Sequence, residues 1–436
     1  MVDSPSWLDW AAARRAPAAS ARTGPARMTA LDVLAFATAV GMIIIYTQCW
    51  LMAVQGDKAG ITDSALVRAM FFPAYAGGLL LVTLSPGQTL RAWLRQPLLI
   101  VILSIVTASA LWSINPDQTV RRTVALVMTT LGGVVIAARW RWSGLAEVIG
   151  AAHALLAAAS LVAVLAVPAF GVMHELFPGA WRGLWTEKNT LGINMTIGCI
   201  ASAAAALLEP RRRRLWAAAA GLCLVLLLGS TSKTSLVACL LGGCGLGLVA
   251  TVRRGPVGRI LGTYAAVTAA LLLGLGLFSA SDLFLAVLGK DATLTGRTKI
   301  WAAVMSRIQE RPWLGYGYGA VWSDTDPWAP LAWITRQAGF RAYHAHNSWL
   351  EQWLALGVAG LGAWTLYFLE TCARALIALY RSAGAYLAIP FLLVYAMTTL
   401  TESVALVFND SRWLIFVAVA AKLALPQDVV RPERKR

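Results

Sequence analysis

The 436-residue sequence contains little charge: Asp, Glu, Lys and Arg together make up 13% of it, whereas hydrophobic residues make up 58%. A soluble domain of this length needs more charged residues to cover its surface. The mean hydropathy of +0.65 agrees with this imbalance. The composition therefore excludes an ordinary soluble protein and indicates a chain that lies largely within a lipid bilayer.

Cysteine and histidine are also scarce, with six and four residues. The cysteines lie in or beside apolar segments and form neither a Cys-x-x-Cys motif nor a group with histidines, so neither a disulfide framework nor a zinc site is indicated. The first 27 residues lack the apolar core of a cleavable signal peptide. We expect no metal site and no cofactor.

Long apolar runs dominate what is present. A helix needs roughly 17–25 apolar residues to cross the hydrocarbon of a bilayer. Twelve segments reach or approach that length: 31–54, 66–84, 97–112, 122–138, 144–167, 189–208, 214–229, 235–251, 259–279, 347–370, 385–401 and 411–425. The sequence thus predicts an all-α polytopic membrane protein with about 12 transmembrane helices.

Basic residues predict the orientation. With a cytoplasmic N-terminus, 22 of the 37 Lys and Arg fall on the cytoplasmic side, as the positive-inside rule requires. The predicted organisation is a cytoplasmic tail 1–30, helices 1–9 over 31–279, a periplasmic loop 280–346, helices 10–12 over 347–425 and a basic cytoplasmic tail 426–436. Topology and attraction to anionic lipid explain the net charge of +16, so we expect membrane lipid and no nucleic acid as a partner.

Within the long loop, residues 299–310 have helical periodicity, with Ile300, Val304 and Ile308 on one face. An amphipathic helix lying on the outer leaflet would hold Arg297 at the depth of lipid phosphates. The alternative is a helix packed on other loop residues, which would also position Arg297.

Polar motifs cluster on the side predicted to face outward. Two precede the sixth and eighth apolar segments: Trp181-Arg182-Gly183-Leu184-Trp185-Thr186-Glu187-Lys188-Asn189 and Ser232-Lys233-Thr234. The long loop contains Gly296-Arg297, Trp301 and Pro312-x-x-Gly315-x-Gly317. Near its end and beyond come His346-Asn347, Leu356-Gly357-x-x-Gly360 and Thr401-Glu402-Ser403.

These motifs, in this order, resemble those of the O-antigen ligase and polymerase superfamily, and their style is similar to exopolysaccharide polymerases. The resemblance implies an inverting, metal-independent glycosyltransferase of the bacterial inner membrane. Its donor would be a polyprenyl-diphosphate-linked glycan, and its acceptor a lipid-linked repeat (polymerase) or the lipid A core (ligase). We favour the polymerase. A flippase or other transporter is the alternative of another class, but it would predict internal repeats, which the sequence does not show convincingly.

The chemistry of such a transfer assigns roles to these residues. Negative charge develops on the leaving diphosphate, so fixed cations stabilise the transition state. Arg297 and Lys233 are the predicted diphosphate clamps. Many superfamily members carry Arg at the position of Lys233, and an ammonium cannot grip a phosphate bidentately. His346 is the predicted base, because imidazole titrates near neutral pH.

Further substrate contacts are predicted at Arg182, Lys188, Asn189, Arg341, Asn347 and Glu402. Alternative interpretations remain open. An interfacial anchor that reaches lipid headgroups is the alternative role for Arg182, Lys188 and Arg297. His346 could simply cap the following helix, in which case His344 or Glu402 would be the base.

Asp324-Thr325-Asp326 matches the Asp-x-Asp motif of metal-dependent glycosyltransferases that use nucleotide sugars. Nucleotide sugars are cytoplasmic, whereas this loop is predicted to be external. The motif is therefore interpreted as a turn before Pro327.

Overall fold

The structure is a computed structural model that describes residues 29–56, 64–175, 177–279, 297–323 and 326–426. In chain order its α-helices are α1 (Ala30–Tyr46), α2 (Leu51–Gln55), α3 (Ala65–Ala69), α4 (Phe72–Leu84), α5 (Pro86–Leu94), α6 (Pro97–Ala108), α7 (Pro116–Arg139), α8 (Trp142–Ala166), α9 (Pro168–Gly171), α10 (Lys188–Leu208), α11 (Arg213–Gly229), α12 (Lys233–Val252), α13 (Pro256–Ser279), α14 (Arg297–Glu310), α15 (Pro330–Ala338), α16 (Ser348–Arg381), α17 (Ala385–Thr401) and α18 (Ser411–Ala424). Residues 1–28 of the predicted cytoplasmic tail lie outside the described residues. The same holds for residues 280–296 of the predicted periplasmic loop and for residues 427–436 of the predicted basic tail.

Within the described residues, six helices are long and apolar enough to cross a membrane: Ala65–Leu84, Pro116–Arg139, Trp142–Ala166, Lys188–Leu208, Lys233–Val252 and Ser348–Arg381. A seventh span results if Pro86–Leu94 and Pro97–Leu111, which are bent by 84° relative to each other, are counted together. The shorter helices α1 and α17 are apolar as well. The chain is therefore an all-α polytopic membrane protein, and the count of twelve spans stays a prediction.

The tenth apolar segment differs from its predicted bounds of 347–370, because α16 continues to Arg381. Arg374, which the charge pattern assigns to a loop, lies within this helix. Its Nη2 atom is 2.6 Å from Oε1 of Glu370, one helical turn earlier. Such a pair neutralises both charges on the helix surface, so the helix extends through a stretch whose charge predicts a loop.

Helix α18 lies at the centre of the bundle. Its residues from Trp413 to Ala421 are each at most 1% exposed. Helix α7 packs closely against α18, because a Cβ on Gly133 would lie 2.6 Å from the carbonyl oxygen of Leu414. With 14 residues, α18 is about 21 Å long, less than the roughly 30 Å of the hydrocarbon core. Because α18 is too short to cross the hydrocarbon core by itself, the segment 402–410 that precedes it lies inside the bundle.

The backbone of segment 402–410 is bonded to side chains of the surrounding helices. Gln352 Nε2 donates to the carbonyl of Ala405 (2.9 Å), and the Tyr318 hydroxyl donates to that of Leu406 (2.6 Å). Irregular backbone at membrane depth is stable only where protein or water satisfies its polar groups. These bonds therefore hold the segment in one conformation.

Helix α16 is broken at Gly357, which has φ 65° and ψ −163°. The turn from Pro312 to Gly317 fits into this break. Its amides at Tyr316 and Gly317 donate to the carbonyls of Leu354 (3.1 Å) and Ala355 (2.9 Å), while Val358 N donates to Pro312 O (2.8 Å). The motifs Pro312-x-x-Gly315-x-Gly317 and Leu356-Gly357-x-x-Gly360 therefore form one backbone joint. The turn supplies the hydrogen bonds that α16 loses at its break.

An outer layer consisting of α14, α15 and the start of α16 has its own apolar core. Ile300, Val304 and Ile308 of α14 are at most 3% exposed and pack with residues such as Ile334 and Leu354. The apolar face of α14 therefore contacts protein rather than lipid, which is the second of the two interpretations of its periodicity. The packing positions Arg297 at its first turn.

Candidate functional site

Three separate parts of the chain meet at one group of charged side chains. Arg297 begins α14, His344 and His346 lie in the loop before α16, and Glu402 follows the last residue of α17. Arg297 Nη2 is 2.7 Å from Glu402 Oε1, and His346 Nδ1 is 2.9 Å from Oε2. His344 Nε2 is 3.7 Å from the same Oε2. One carboxylate thus joins a guanidinium to two imidazoles.

Glu402 is mostly buried, with 26% of its side chain exposed. Burial raises the pKa of this carboxyl, but the imidazoles of His344 and His346 and the charge of Arg297 together lower it more, so its pKa lies well below the usual value. Glu402 is therefore a carboxylate at neutral pH, able to accept a hydrogen bond from His346 Nδ1.

The backbone of His346 is in the left-handed region, with φ 51°. Residues other than glycine rarely adopt this conformation, and it costs on the order of 1 kcal/mol or more. Leu406 and Asn409, which also have positive φ, lie in the segment that follows Glu402. Strained backbone of this kind persists only where the surrounding structure holds it in place, and it is often found at functional sites.

The cap of α16 is Asn347 rather than His346. Its Oδ1 atom accepts hydrogen bonds from Trp349 N (2.9 Å) and Leu350 N (3.1 Å). The imidazole of His346 is therefore not needed to begin the helix. Asn347 contributes to the site by fixing the direction of the chain next to His346, and its predicted contact with substrate remains a prediction.

Two side chains that the sequence analysis missed support the group. Ser348 Oγ donates to Glu402 O (2.8 Å) and accepts from Val404 N (2.9 Å). Glu351 Oε2 accepts from Ala345 N (2.9 Å) and from Ser403 Oγ (3.1 Å). Both side chains tie the histidine loop to the segment after α17. Their place in the first turn after Asn347 is the only sequence signal that points to them.

The group also offers ligand atoms for a metal ion. His344, His346 and Glu402 each have one such atom, and these atoms all lie within 4.8 Å of one another. Sequence spacing does not reveal this arrangement, since His346 and Glu402 are 56 residues apart. The expectation of no metal site therefore stays a prediction to be tested on these three residues.

A second polar group lies where α10 and α12 begin. Lys188 Nζ is 3.4 Å from Thr231 Oγ1 and 3.9 Å from the centre of the Phe177 ring. Ser232 Oγ donates to Asn189 Oδ1 (2.9 Å). The predicted residues Lys188 and Asn189 are thus brought next to the turn that carries Lys233.

The packing of α12 against α17 relates the two groups. A Cβ on Gly242 would lie 3.1 Å from Val394 Cγ2, and one on Gly245 would lie 3.1 Å from Pro390 Cα, so the helices are antiparallel. Lys233 precedes Gly242 by nine residues, and Glu402 follows Val394 by eight. Lys233 and Glu402 therefore each lie about 12–14 Å from this helix contact in the same direction along the bundle, which puts them at one level.

Arg182 is placed differently from the other predicted cations. It is 8% exposed, and its Nε donates to Phe170 O (2.9 Å) while Nη2 donates to Ala169 O (3.4 Å). These bonds bind the loop before α10 to the short helix α9. The observed role of Arg182 is structural, and its predicted contact with substrate remains untested.

Arg341 and Asp326, the last residue of the Asp-x-Asp motif, lie in the segments after and before α15. The Arg341 guanidinium is over the Tyr343 ring, 5.8 Å from its centre. Asp324 and Thr325 lie outside the described residues, whereas Asp326 Oδ1 accepts a hydrogen bond from Trp328 N (2.8 Å). An Asp side chain bonded to the amide two residues later is typical of a turn.

Residues 218–365 match the model of the O-antigen ligase family. The chain is also similar to the exopolysaccharide production protein ExoQ of Rhizobium meliloti (strain 1021), with 33% identity over 218 residues. The resemblance to the O-antigen ligase and polymerase superfamily is confirmed. The alignment with ExoQ covers 48% of this chain and 50% of that protein, so the chain spans about half the length of the curated relative it matches.

The family match contains five of the predicted site residues: Lys233, Arg297, Arg341, His346 and Asn347. It ends before Glu402, and it begins after Arg182 and Lys188. The contact of Glu402 with Arg297 and His346 is therefore a finding of the structure, and it links residues inside the matched region to one outside it.

Proposed function

We propose that the chain is a glycosyltransferase that polymerises a polyprenyl-diphosphate-linked glycan in exopolysaccharide or O-antigen biosynthesis. It would lie in the bacterial inner membrane with twelve spans, both termini in the cytoplasm and its site at the periplasmic face. The observation that carries the proposal is the contact of one carboxylate, Glu402, with both Arg297 and His346. The match to the O-antigen ligase family and the similarity to an exopolysaccharide production protein support a role in polysaccharide assembly.

In this proposal His346 is the general base. Glu402 accepts a hydrogen bond from Nδ1–H of His346, which leaves the lone pair on Nε2 for the acceptor hydroxyl. The hydroxyl oxygen attacks the anomeric carbon of the donor while its proton passes to Nε2. The bond from the anomeric carbon to the diphosphate oxygen breaks, and the configuration at that carbon is inverted. Glu402 then stabilises the imidazolium that has formed.

The leaving group takes the electron pair of the broken bond as polyprenyl diphosphate. Arg297 lies beside the base and carries further N–H groups besides the one bonded to Glu402, so it could stabilise the developing charge. Lys233, which lies at the same level of the bundle, would contact the second phosphate as a point charge. Because these cations provide the charge, the transfer is proposed to be metal-independent.

Ligation to the lipid A core is the alternative function, and the match to the O-antigen ligase family favours it. The relative ExoQ is a protein of exopolysaccharide production, which agrees with our preference for polymerisation. The two differ in the acceptor, a lipid-linked repeat or the lipid A core, and use the same donor chemistry. A flippase or transporter would need no base, so the His346–Glu402 contact weighs against it.

The test is transfer by the purified chain from a lipid-diphosphate-linked glycan, with Arg297→Ala and Arg297→Lys as variants. We expect Arg297→Ala to lose most activity, because a charge-assisted contact to phosphate is worth about 1.5–3 kcal/mol. Arg297→Lys should recover only part of it. Arg311→Ala is the matched control, since Arg311 lies in the same layer over the Tyr316 ring, 5.1 Å from its centre.

Near-normal transfer by Arg297→Ala would reduce Arg297 to a lipid anchor. Loss of wild-type transfer in EDTA would contradict metal independence and make His344, His346 and Glu402 the first metal ligands to test. A glycan profile of a deletion strain separates the two acceptors: accumulated single repeats indicate a polymerase, and long unattached chains indicate a ligase.

A further inference from the structure

Exposed aromatic rings alternate with arginines on the outer layer. The Arg336 guanidinium lies 5.1 Å from the centre of the Trp333 ring and 6.0 Å from that of Trp328. Beyond the end of α15, Arg341 lies over Tyr343. We call these five residues, Trp328, Trp333, Arg336, Arg341 and Tyr343, the aromatic–arginine strip. The three rings are 75%, 40% and 46% exposed.

The strip ends at the candidate site. Tyr343 precedes His344, whose ring centre is 3.9 Å from that of His346. Helix α15 stops at Gly339, which has φ 85°, and the chain then runs through Arg341 and Tyr343 to the histidines. A molecule held along the strip would therefore be directed towards the proposed base.

The strip does not have the character of a surface that lies in lipid. Helix α15 buries its apolar side chains Leu331, Ile334 and Ala338, which are at most 4% exposed, against protein. Its exposed face instead carries Trp333, Arg336 and Gln337. An interfacial helix has the opposite arrangement, with its apolar face towards the acyl chains.

We propose that the aromatic–arginine strip binds a glycan that carries carboxylate groups and leads it to His346. The apolar C–H face of a sugar ring matches the face of an exposed indole or phenol ring. The planar fork of an arginine binds a carboxylate through two parallel hydrogen bonds. The inference rests on the proposed function and deepens it, because it names an acidic glycan as the class of substrate.

The test is a direct binding measurement without donor. The full chain in nanodiscs of phosphatidylcholine is titrated calorimetrically with oligomers of galacturonic acid and with neutral glucose oligomers of equal length. We expect the acidic oligomer to bind about tenfold more tightly or better, which corresponds to 1.4 kcal/mol. We also expect this advantage to shrink at high salt, because salt screens exposed charges.

Variants locate the binding surface. Trp328→Ala and Arg336→Gln should each weaken binding of the acidic oligomer about fivefold, and Arg336→Lys should lie between wild type and Arg336→Gln. Trp313→Ala is the matched control. Trp313 is 73% exposed, close to the 75% of Trp328, but lies beside the break in α16.

Several outcomes would overturn the inference. These are absence of binding by either oligomer, equal binding of the acidic and the neutral oligomer, or equal losses in Trp313→Ala and Trp328→Ala. Brominated lipids that quench wild-type fluorescence more than that of Trp328→Ala would assign the strip to the membrane surface instead. Wild-type protein that binds the acidic oligomer but transfers no glycan would contradict only the proposed function.

Discussion

At the scale of single residues, His346 has two properties that a test must separate. Its imidazole is the proposed base, and its backbone has a positive φ that most residues disfavour. Alanine would change both, because it removes the imidazole and also tolerates the left-handed region poorly. Asparagine tolerates that region well. His346→Asn therefore removes the imidazole while keeping the backbone conformation.

We expect His346→Asn to lower transfer by roughly 10²–10⁴, the usual contribution of a general base. Its thermal stability should stay near that of wild type, measured on the same preparation. His344→Asn is the control, because His344 lies beside the same carboxylate at the longer distance of 3.7 Å. A larger loss in His344→Asn would assign the base to His344, and a loss confined to Glu402→Gln would assign it to Glu402.

The pH dependence follows from the lowered pKa of Glu402. A carboxyl with a lowered pKa stabilises the fold above its usual titration range, and this stabilisation is lost only as the pH falls through the lowered value. Glu402 thus stays ionised between pH 5 and 8. We therefore expect that a fall in wild-type transfer on acidification within this range has a cause other than protonation of Glu402, and a pH profile of transfer measures it.

The sequence predicts the main members of the site but not their mutual contacts. Arg297, His346 and Glu402 are found because each belongs to a motif of the superfamily. Their meeting depends on tertiary packing over 105 residues between Arg297 and Glu402, which no local pattern encodes. Ser348 and Glu351 are missed for the same reason, since their partners lie beyond the end of α17.

At the scale of elements, the break in α16 joins the outer layer to the membrane helices. A Cβ on Gly357 would lie 2.1 Å from the carbonyl carbon of Trp313, which belongs to backbone that cannot move aside freely. The positive φ of Gly357 adds strain for any other residue. Gly357→Ala should therefore destabilise the protein by roughly 1–3 kcal/mol and reduce transfer, because the joint sets the direction of the half-helix that begins after His346.

Gly362→Ala is the control within the same helix. A Cβ at Gly362 would meet no atom within 4 Å, and alanine favours a helix more than glycine does. Thermal unfolding in detergent should show Gly362→Ala at or slightly above wild type and Gly357→Ala below it. If both variants unfold and transfer alike, the joint has no role in stability or in the site.

Apolar length and periodicity predict the helices well, because a helix in lipid must satisfy all its own backbone bonds. Each of the twelve predicted segments overlaps a helix of the structure. The breaks are not predicted. Gly357 lies in an apolar run like other glycines, and only its backbone contact with the turn from Pro312 to Gly317 distinguishes it.

At the scale of the whole molecule, one end of the bundle carries the chemistry. Helices α10, α12 and α16 begin there, and α17 ends there at Glu402. The positive ends of three helix dipoles thus add to Arg297, Lys188 and Lys233 on one side of the protein. This arrangement suits an anionic donor whose lipid tail remains in the bilayer, and the function requires that this end faces the periplasm.

The periplasmic site therefore depends on the predicted orientation of the chain. In the predicted twelve-span topology, 22 of the 37 Lys and Arg fall on the side that carries Arg211 to Arg214, and the positive-inside rule predicts that this side faces the cytoplasm. Gln337→Cys, on the exposed face of α15, should react with a membrane-impermeant maleimide in intact spheroplasts, and Arg211→Cys only after permeabilisation. The wild-type chain with its six free cysteines sets the background. Labelling of Arg211→Cys alone in intact spheroplasts would reverse the orientation. It would also remove the proposed periplasmic site, since the donor glycan would then have to be used on the cytoplasmic side.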